Sequence, residues 1–340
     1  MIIHLVLSGG SGTRLWPLST RNRPKQYIPI LNGRSLYQEC LIRNNSLVDA
    51  CVVVLHKDQV NIAKEQSKLD DVEFPGFVVE QQAKNTAPAI TFAALSLDPD
   101  DILFVTPADH IIESDHHYIQ CVSKACQLAA DGNLVTFGIQ PSYPETGYGY
   151  IQHEGHDVIA FHEKPNLEIA TEYLLKGGYL WNSGMFCFTA GSYLEALEKY
   201  QPVLLEACKK VHSEILLNGE VSDEMYAAIP SISIDNAVME QANNIKVIPS
   251  SFNWTDVGSF DALSDYLQKK NHSVENLFTS GASSNFIINE GSKPIALIGV
   301  EDIMVIQTEE GMLICKKGES QKVKERYNDM FRPSTISSTI

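Results

Sequence analysis

An α/β fold with a mixed, mostly parallel sheet, followed by a small all-β domain, is the architecture this sequence predicts. Three observations lead there. Short apolar, β-branched runs alternate with helix-patterned segments through the first half of the chain, the rhythm of strands joined by crossover helices. The first apolar run ends in a glycine-rich turn, as strands do at the ligand-binding edge of an open α/β sheet. Beyond residue 270 the helical pattern gives way to short apolar runs with turns between them, the spacing of an all-β unit.

The elements follow in order. Residues 2–7 form a buried strand, 35–44 a helix, and 51–55 (CVVVL) a β-branched strand. Residues 57–69 read as a polar helix, 77–79 as a strand, and 86–97 (TAPAITFAALSL) as a helix with Asn or Thr near its cap and Pro in its first turn. A strand at 102–106 stops at Pro107, a helix covers 117–130, and a strand 134–138. Residues 147–153 and 158–163 flank Glu154-Gly155-His156-Asp157 as a hairpin. Helices at 167–176, 192–200, 203–217 and 236–241, a strand at 246–249 and a helix at 259–269 complete the large domain, 1–270. Residues 271–285, rich in Ser, Asn and Gly, read as a linker. Runs at 286–288, 295–298, 303–307 and 312–315 build the small β domain, 286–332, as a sandwich or the coils of a solenoid. A basic helix or arm covers 321–327, and 333–340 is a frayed tail.

The 340 residues carry 26 Lys and Arg against 42 Asp and Glu, a net charge of -16. That balance argues against nucleic acid or an anionic membrane as a partner, but a local basic cluster can still bind phosphates. Seven cysteines without a C-x-x-C pattern indicate a reduced, cytoplasmic protein with no zinc site. The N-terminus lacks a basic stretch and a signal-like apolar run, and no 18-residue apolar stretch spans a membrane.

The chemistry begins at Leu7-Ser8-Gly9-Gly10-Ser11-Gly12-Thr13-Arg14. Glycines after a strand let backbone N–H groups approach phosphate oxygens. Neither a P-loop G-K-[ST] nor the dinucleotide G-x-G-x-x-G is present, so the glycines alone are weak evidence, equally at home in a tight turn. Arg14, Arg21, Arg23 and Lys25 follow at once. Cations beside a glycine loop favour a nucleotide polyphosphate. Asp109, just past the strand 102–106, and Asp256, in Trp254-Thr255-Asp256-Val257-Gly258, are oxygen donors of the kind Mg2+ takes. Either could equally be a turn cap.

The segment 7–27, LSGGSGTRLWPLSTRNRPKQY, closely resembles the signature of sugar-1-phosphate nucleotidylyltransferases, with Trp16-Pro17-Leu18-Ser19 and Pro24-Lys25-Gln26 similar to the mannose-1-phosphate guanylyltransferase branch. The resemblance covers almost the whole chain. It implies a Rossmann-like nucleotidyltransferase domain with a left-handed β-helix-like tail, and transfer of GMP from GTP to mannose 1-phosphate. It also implies roles. Arg14 and Lys25 are catalytic. Leu7, Gly9, Gly10, Ser11, Gly12, Thr13, Asn85, Thr86 and Asp109 bind nucleotide. Tyr148, Gly149, Glu163, Lys164 and Asn182 hold the sugar phosphate, and Asp109 and Asp256 hold Mg2+. Departures are mild: Tyr27 for Phe, His56-Lys57-Asp58-Gln59 for a Glu-Glu-His-Arg-like stretch, and Phe260 for Trp. The length of the sequence predicts one transferase and a short tail, without the cupin isomerase domain of longer members. The apolar tail and the resemblance together suggest a homodimer. A sibling enzyme for another sugar or base, or a sugar-nucleotide sensor on the same fold, remains the alternative. Retention of Arg14, Lys25, Asp109 and Asp256 speaks against the sensor.

Overall fold

A computed structural model describes residues 1–10, 12–31, 33–270, 274, 276–291 and 293–331. Ser11, part of the segment 271–285 and the tail 333–340 lie outside the described residues. By its internal contacts the chain divides into two units. The larger comprises Met1–Gly9 with Tyr37–Trp254, and the smaller Gly10–Leu36 with Thr255–Ile340. No described helix is long and apolar enough to cross a membrane, and all seven cysteines are free thiols.

In chain order the elements are β1 (Ile2–Leu7), α1 (Leu36–Asn44), β2 (Ala50–His56), α2 (Val60–Gln66), β3 (Gly76–Glu80), α3 (Thr86–Ala94), β4 (Ile102–Pro107), β5 (Ile111–Ile112), α4 (His116–Ala130), β6 (Leu134–Ile139), β7 (Tyr150–Glu154), β8 (Asp157–His162), α5 (Leu167–Lys176), β9 (Tyr179–Thr189), α6 (Ala190–Tyr200), α7 (Pro202–Asn218), α8 (Asp223–Ala227), β10 (Ile245–Ser250), β11 (Trp254–Thr255) and α9 (Phe260–Lys269). A nine-stranded sheet in the order β3-β2-β1-β4-β9-β6-β10-β8-β7 forms the larger unit.

The expected parallel pairing holds over β3-β2-β1-β4 and for β6 with β10. It fails at β9, which runs antiparallel between β4 and β6, while β7 and β8 form the expected hairpin, antiparallel to each other and, in turn, to β9 and β10. The sheet is therefore mixed. β9 carries polar Asn182-Ser183 and Gly184 (φ 68°) in its first half, which hide that half as a strand in the sequence. The register against β6 shifts between Thr136 and Gly138, as at a β-bulge. Residues 57–69 split into a 3-10 turn, Lys57–Gln59, and the shorter α2.

Two apolar layers enclose the sheet. On one side Ile90, Phe188, Tyr193, Leu197, Leu205 and Val238 pack together, and Phe104, Tyr118, Phe137, Trp181 and Cys187 form a second cluster. α3 is buried at every position from Ala87 to Ala94, as its all-round apolar sequence requires. What matters for function is the alignment of strand ends. Leu7 pairs with both Val54 and Pro107, and His56 with Glu80. Gly9 and Asp109 therefore follow the carboxyl ends of neighbouring parallel strands, β1 and β4. The chain winds outward from β1 through β2 and β3, then returns to β4 on its other side. Ligands of open α/β sheets bind at such a switch point.

The smaller unit holds β12 (Leu277–Ser280), β13 (Phe286–Asn289), β14 (Ile295–Ile298), β15 (Ile303–Gln307), β16 (Met312–Lys316) and α10 (Val323–Met330). β12 pairs in parallel with β14, and β13 with β15, and the same 18-residue offset separates Leu277 from Ile295 and Phe286 from Met304. That repeat is the coil of a β-helix, closed by β16 antiparallel to β15. β12 falls inside the stretch read as a linker. Its four residues carry no strand pattern of their own and are held by β14.

Candidate active site

In the larger unit, several of the residues expected to hold the sugar phosphate lie close together. Gly149 accepts the Asn182 N–H at 2.8 Å, and a Cβ at Gly149 would lie 3.2 Å from Glu163 Oε2 and 3.7 Å from Asn182 Cβ. Glycine is what lets the backbone approach those two side chains. Glu163 pairs with its neighbour Lys164, whose φ of 35° is unusual for a side-chain-bearing residue. Both are exposed. Tyr148 packs edge-on against Trp181 and Trp254, with ring centroids 5.4 and 5.1 Å apart. Trp254 donates through Nε1 to His110 Nδ1 at 3.3 Å, and His110 Nε2 stands 3.7 Å from Asp109 Oδ1. A continuous path of contacts thus runs from Asp109 to the Tyr148–Gly149 turn. His110 acts as a spacer within it.

Asn85 is the N-cap of α3. Its Oδ1 accepts from Thr86 N at 2.9 Å, at a φ of 71°, so the capping role is real. Thr86 Oγ1 accepts from Ile234 N at 2.9 Å, which ties the helix start to the segment before the π-turn Asp235–Met239.

The smaller unit holds the rest of the glycine loop with the Asp256 turn. Gly12 has φ 61°, and Thr13–Leu15 forms a short 3-10 turn. A Cβ on Gly12 would sit 2.3 Å from Lys25 Cβ and 2.8 Å from its backbone N. Gly12→Ala should therefore destabilise the protein by about 1–3 kcal/mol through overpacking alone, with turnover falling in parallel. Urea unfolding beside a rate assay checks both, and an unchanged midpoint would show that the loop absorbs the methyl.

Lys25 is only 6% exposed. Its ammonium donates to the carbonyl oxygens of Asp256 at 2.5 Å and Val257 at 3.2 Å. Asp256 Oδ1 accepts from Gly258 N at 2.9 Å. The expected four-cation cluster is thus divided. Arg14 and Arg21 are exposed, Arg23 pairs with Glu290 at 3.2 Å, and Lys25 is committed to the Asp256 turn.

Residues 3–273 match the Nucleotidyl transferase family, and residues 282–327 match the MannoseP isomerase/GMP-like beta-helix domain. The chain belongs to the nucleotidyl transferase family. It is similar to the mannose-1-phosphate guanylyltransferase of Escherichia coli strain K12, 37% identical over 94% of this chain and 72% of that one. It is likewise 37% identical to the xanthan biosynthesis protein XanB of Xanthomonas campestris, over 95% of this chain and 72% of the relative. A solved Thermus thermophilus structure, described as a mannose-1-phosphate geranyltransferase, superposes with a TM-score of 0.82 at 30% identity, covering 97% of this chain and 99% of its own. The transferase therefore falls with the mannose-1-phosphate guanylyltransferases.

Two residues of the transferase went unnoticed in the sequence. Glu80 ends β3, is 5% exposed, and leaves Oε1 buried without a hydrogen-bond partner among the described residues. Its Oε2 lies 3.4 Å from where a Cβ on Gly9 would be. Burial pushes its carboxyl up to about 7. An orphaned buried carboxylate is costly, and here it borders the glycine turn. Asp235 is the second. Its Oδ1 accepts from Asn182 Nδ2 at 2.7 Å, and burial holds its carboxyl above the usual range. The π-turn it opens, Asp235–Met239, lies where the sequence predicts an ordinary helix, and such turns frequently mark functional sites.

Proposed function

We propose that the chain transfers GMP from GTP to mannose 1-phosphate, giving GDP-mannose and pyrophosphate. An oxygen of the sugar phosphate attacks the α-phosphorus of GTP. A new P–O bond forms as the bond to the β-phosphate oxygen breaks, and pyrophosphate leaves in line. The attacking phosphate is already anionic, so no side chain need remove a proton. Catalysis is alignment of two anions and neutralisation of charge. In this reading the backbone from Leu7 through Gly9, Gly10, Ser11, Gly12 and Thr13 receives the triphosphate, and Arg14 meets it from an exposed position. Lys25 holds the Asp256 turn and its charge. Tyr148, Gly149, Glu163, Lys164 and Asn182 orient the mannose phosphate, with Asp235 fixing the Asn182 amide. Asn85 and Thr86 present the start of α3 to the nucleoside.

The observation that carries the guanylyl part is Glu80. Two carboxylate oxygens match the parallel N1–H and N2–H donors on one edge of guanine. Adenine offers an acceptor at N1, so a carboxylate placed to read guanine disfavours it.

Asp109 and Asp256 supply carboxylate oxygens, the donor chemistry of a hard divalent cation, and Asp109 is about a third exposed, at 35%. Among the described residues no group of three or more His, Cys, Asp and Glu stands ready for a metal. Mg2+ usually takes one or two carboxylates completed by substrate phosphates. Such an ion, when bound, supplies charge neutralisation at the phosphates. Asp109→Asn should raise the Mg2+ concentration for half-maximal activity by at least the ~10–100-fold typical of outer-shell partners. An unchanged metal titration would make Asp109 structural.

Residues 1–270 would carry the chemistry and 286–332 the appended β domain, in a cytoplasmic homodimer. Pyrophosphate release over a panel of NTPs and sugar 1-phosphates tests the reading. GTP with mannose 1-phosphate should lead the panel. Another leading pair would make this a sibling enzyme, and GTP binding without turnover a sensor.

A further inference from the structure

We propose that the β module of residues 277–331 holds the nucleotide loop in its working shape, with Gly311, Thr308 and Phe331 as positioning residues for Trp16 and Pro17. The inference rests on reading the glycine loop as the triphosphate site, and it gives the module a part in that site.

The contacts lie within the smaller unit and converge on one short turn. Trp16 is 9% exposed. A Cβ at Gly311 would stand 2.8 Å from Trp16 Cζ2 and 3.3 Å from Cη2, so the indole occupies space that any other residue at 311 would claim. Thr308 Oγ1 donates to the Pro17 carbonyl at 3.3 Å, and Thr308 N to the Gly311 carbonyl at 3.0 Å. The turn joining β15 to β16 is thereby shaped to receive Trp16-Pro17. Phe331 meets the Trp16 ring edge-on at 6.3 Å and is itself backed by Tyr327 at 4.7 Å.

On the loop side the lever is short. Ser19 Oγ donates to the Gly12 carbonyl at 2.5 Å, and Ser19 N to the Leu15 carbonyl at 2.9 Å. Displacing Trp16-Pro17 therefore pulls directly on Gly12. The Arg23–Glu290 pair is a second tie between loop and module, but it is partly exposed and adds little.

A loop that binds phosphate through backbone N–H groups works only if its dihedrals are already set, because ordering it on binding costs affinity. Packing an aromatic anchor of the loop into a rigid β-helix sets them beforehand. The module thus lowers the cost of nucleotide binding without touching the nucleotide.

The test uses the full chain with Gly311→Ala, Thr308→Val, Phe331→Ala and Phe331→Tyr. Amide hydrogen exchange of peptides spanning 12–31 is compared with that of 134–139, and KM is measured for each substrate. In Gly311→Ala and Phe331→Ala, exchange at 12–31 should accelerate about tenfold as the local opening free energy falls, with 134–139 unchanged. KM for GTP should rise about five- to tenfold through the lost preorganisation, and KM for mannose 1-phosphate should stay within about twofold. Thr308→Val should move both readouts the same way by less, and Phe331→Tyr should restore them. Unchanged loop exchange in folded Gly311→Ala and Phe331→Ala overturns the proposal, as do equal rises in both KM values or faster exchange everywhere. If the wild type does not use GTP, the proposed reaction falls, and loop exchange still decides whether the module holds the loop.

Discussion

Replacing Lys25 with alanine is expected to lower kcat about 10²–10³-fold, the scale for losing one preorganised charge contact in a transition state. The reason is more specific than proximity to phosphate. The buried ammonium donates to the carbonyls of Asp256 and Val257. Val257 is β-branched yet has φ 47°, a conformation that costs of order 1–3 kcal/mol and persists only where its surroundings enforce it. Lys25 is part of that enforcement. Alanine would leave two carbonyls without their cation, empty the space beside Gly12, and let the turn bearing Asp256 relax. Turnover and metal dependence should therefore move together. In Lys25→Ala the Mg2+ concentration for half-maximal activity should rise along with the loss of kcat. A loss of kcat with an unchanged metal titration would place the ammonium on the phosphates alone. Near-normal turnover would remove Lys25 from the mechanism.

The division between what the sequence disclosed and what it hid follows from where the information sits. The glycine loop, Asp109 and Asp256 stand out as candidates because their pattern is local: a strand, then a turn, then a residue of the right type. Gly149 and Asn182 stand out as motif positions, and the backbone hydrogen bond between them follows from the pairing of β7 with β9. Glu80 was not readable. Phe77-Val78-Val79-Glu80 is an ordinary strand ending in a polar residue, and its importance comes from burial and from the register that brings it beside Gly9. Asp235 was hidden for the same reason, since its partner Asn182 is remote in sequence. The sheet was predicted as mostly parallel because alternating strands and helices dominate the first half. The antiparallel insertion of β9 depends on pairing that no local pattern announces. Lys25 shows the opposite error. It was identified by charge, yet its burial and its carbonyl partners were invisible, and these define what alanine would break.

Glu80→Gln should lower kcat/KM for GTP by about 10–100-fold, the equivalent of one charge-assisted hydrogen bond of roughly 1.5–3 kcal/mol. It should also narrow the preference for GTP over ITP, which lacks the N2 amino group. Glutamine keeps the length and one acceptor but turns the other oxygen into a donor facing guanine's own donors. The pH profile separates this role from a packing role. Burial pushes the Glu80 carboxyl up to about 7, and only the ionised form accepts both guanine protons. In the free enzyme kcat/KM for GTP should therefore rise with pH up to about 7 and then level off, since that parameter reports free-enzyme ionisations. The variant should lose that limb. Stability should move the opposite way. A carboxyl whose folded pKa exceeds its unfolded value binds more protons when folded, so between about 4.5 and 7 the wild type loses stability as pH rises. The deficit at pH 8 is about 3 kcal/mol at 1.36 kcal/mol per unit, and Glu80→Gln should recover part of it as a higher melting temperature. A variant that melts higher at pH 8 but uses GTP less well is what a carboxylate kept for recognition predicts. Retained GTP preference with the same pH limb would assign the titration elsewhere and leave guanine to be read by other groups.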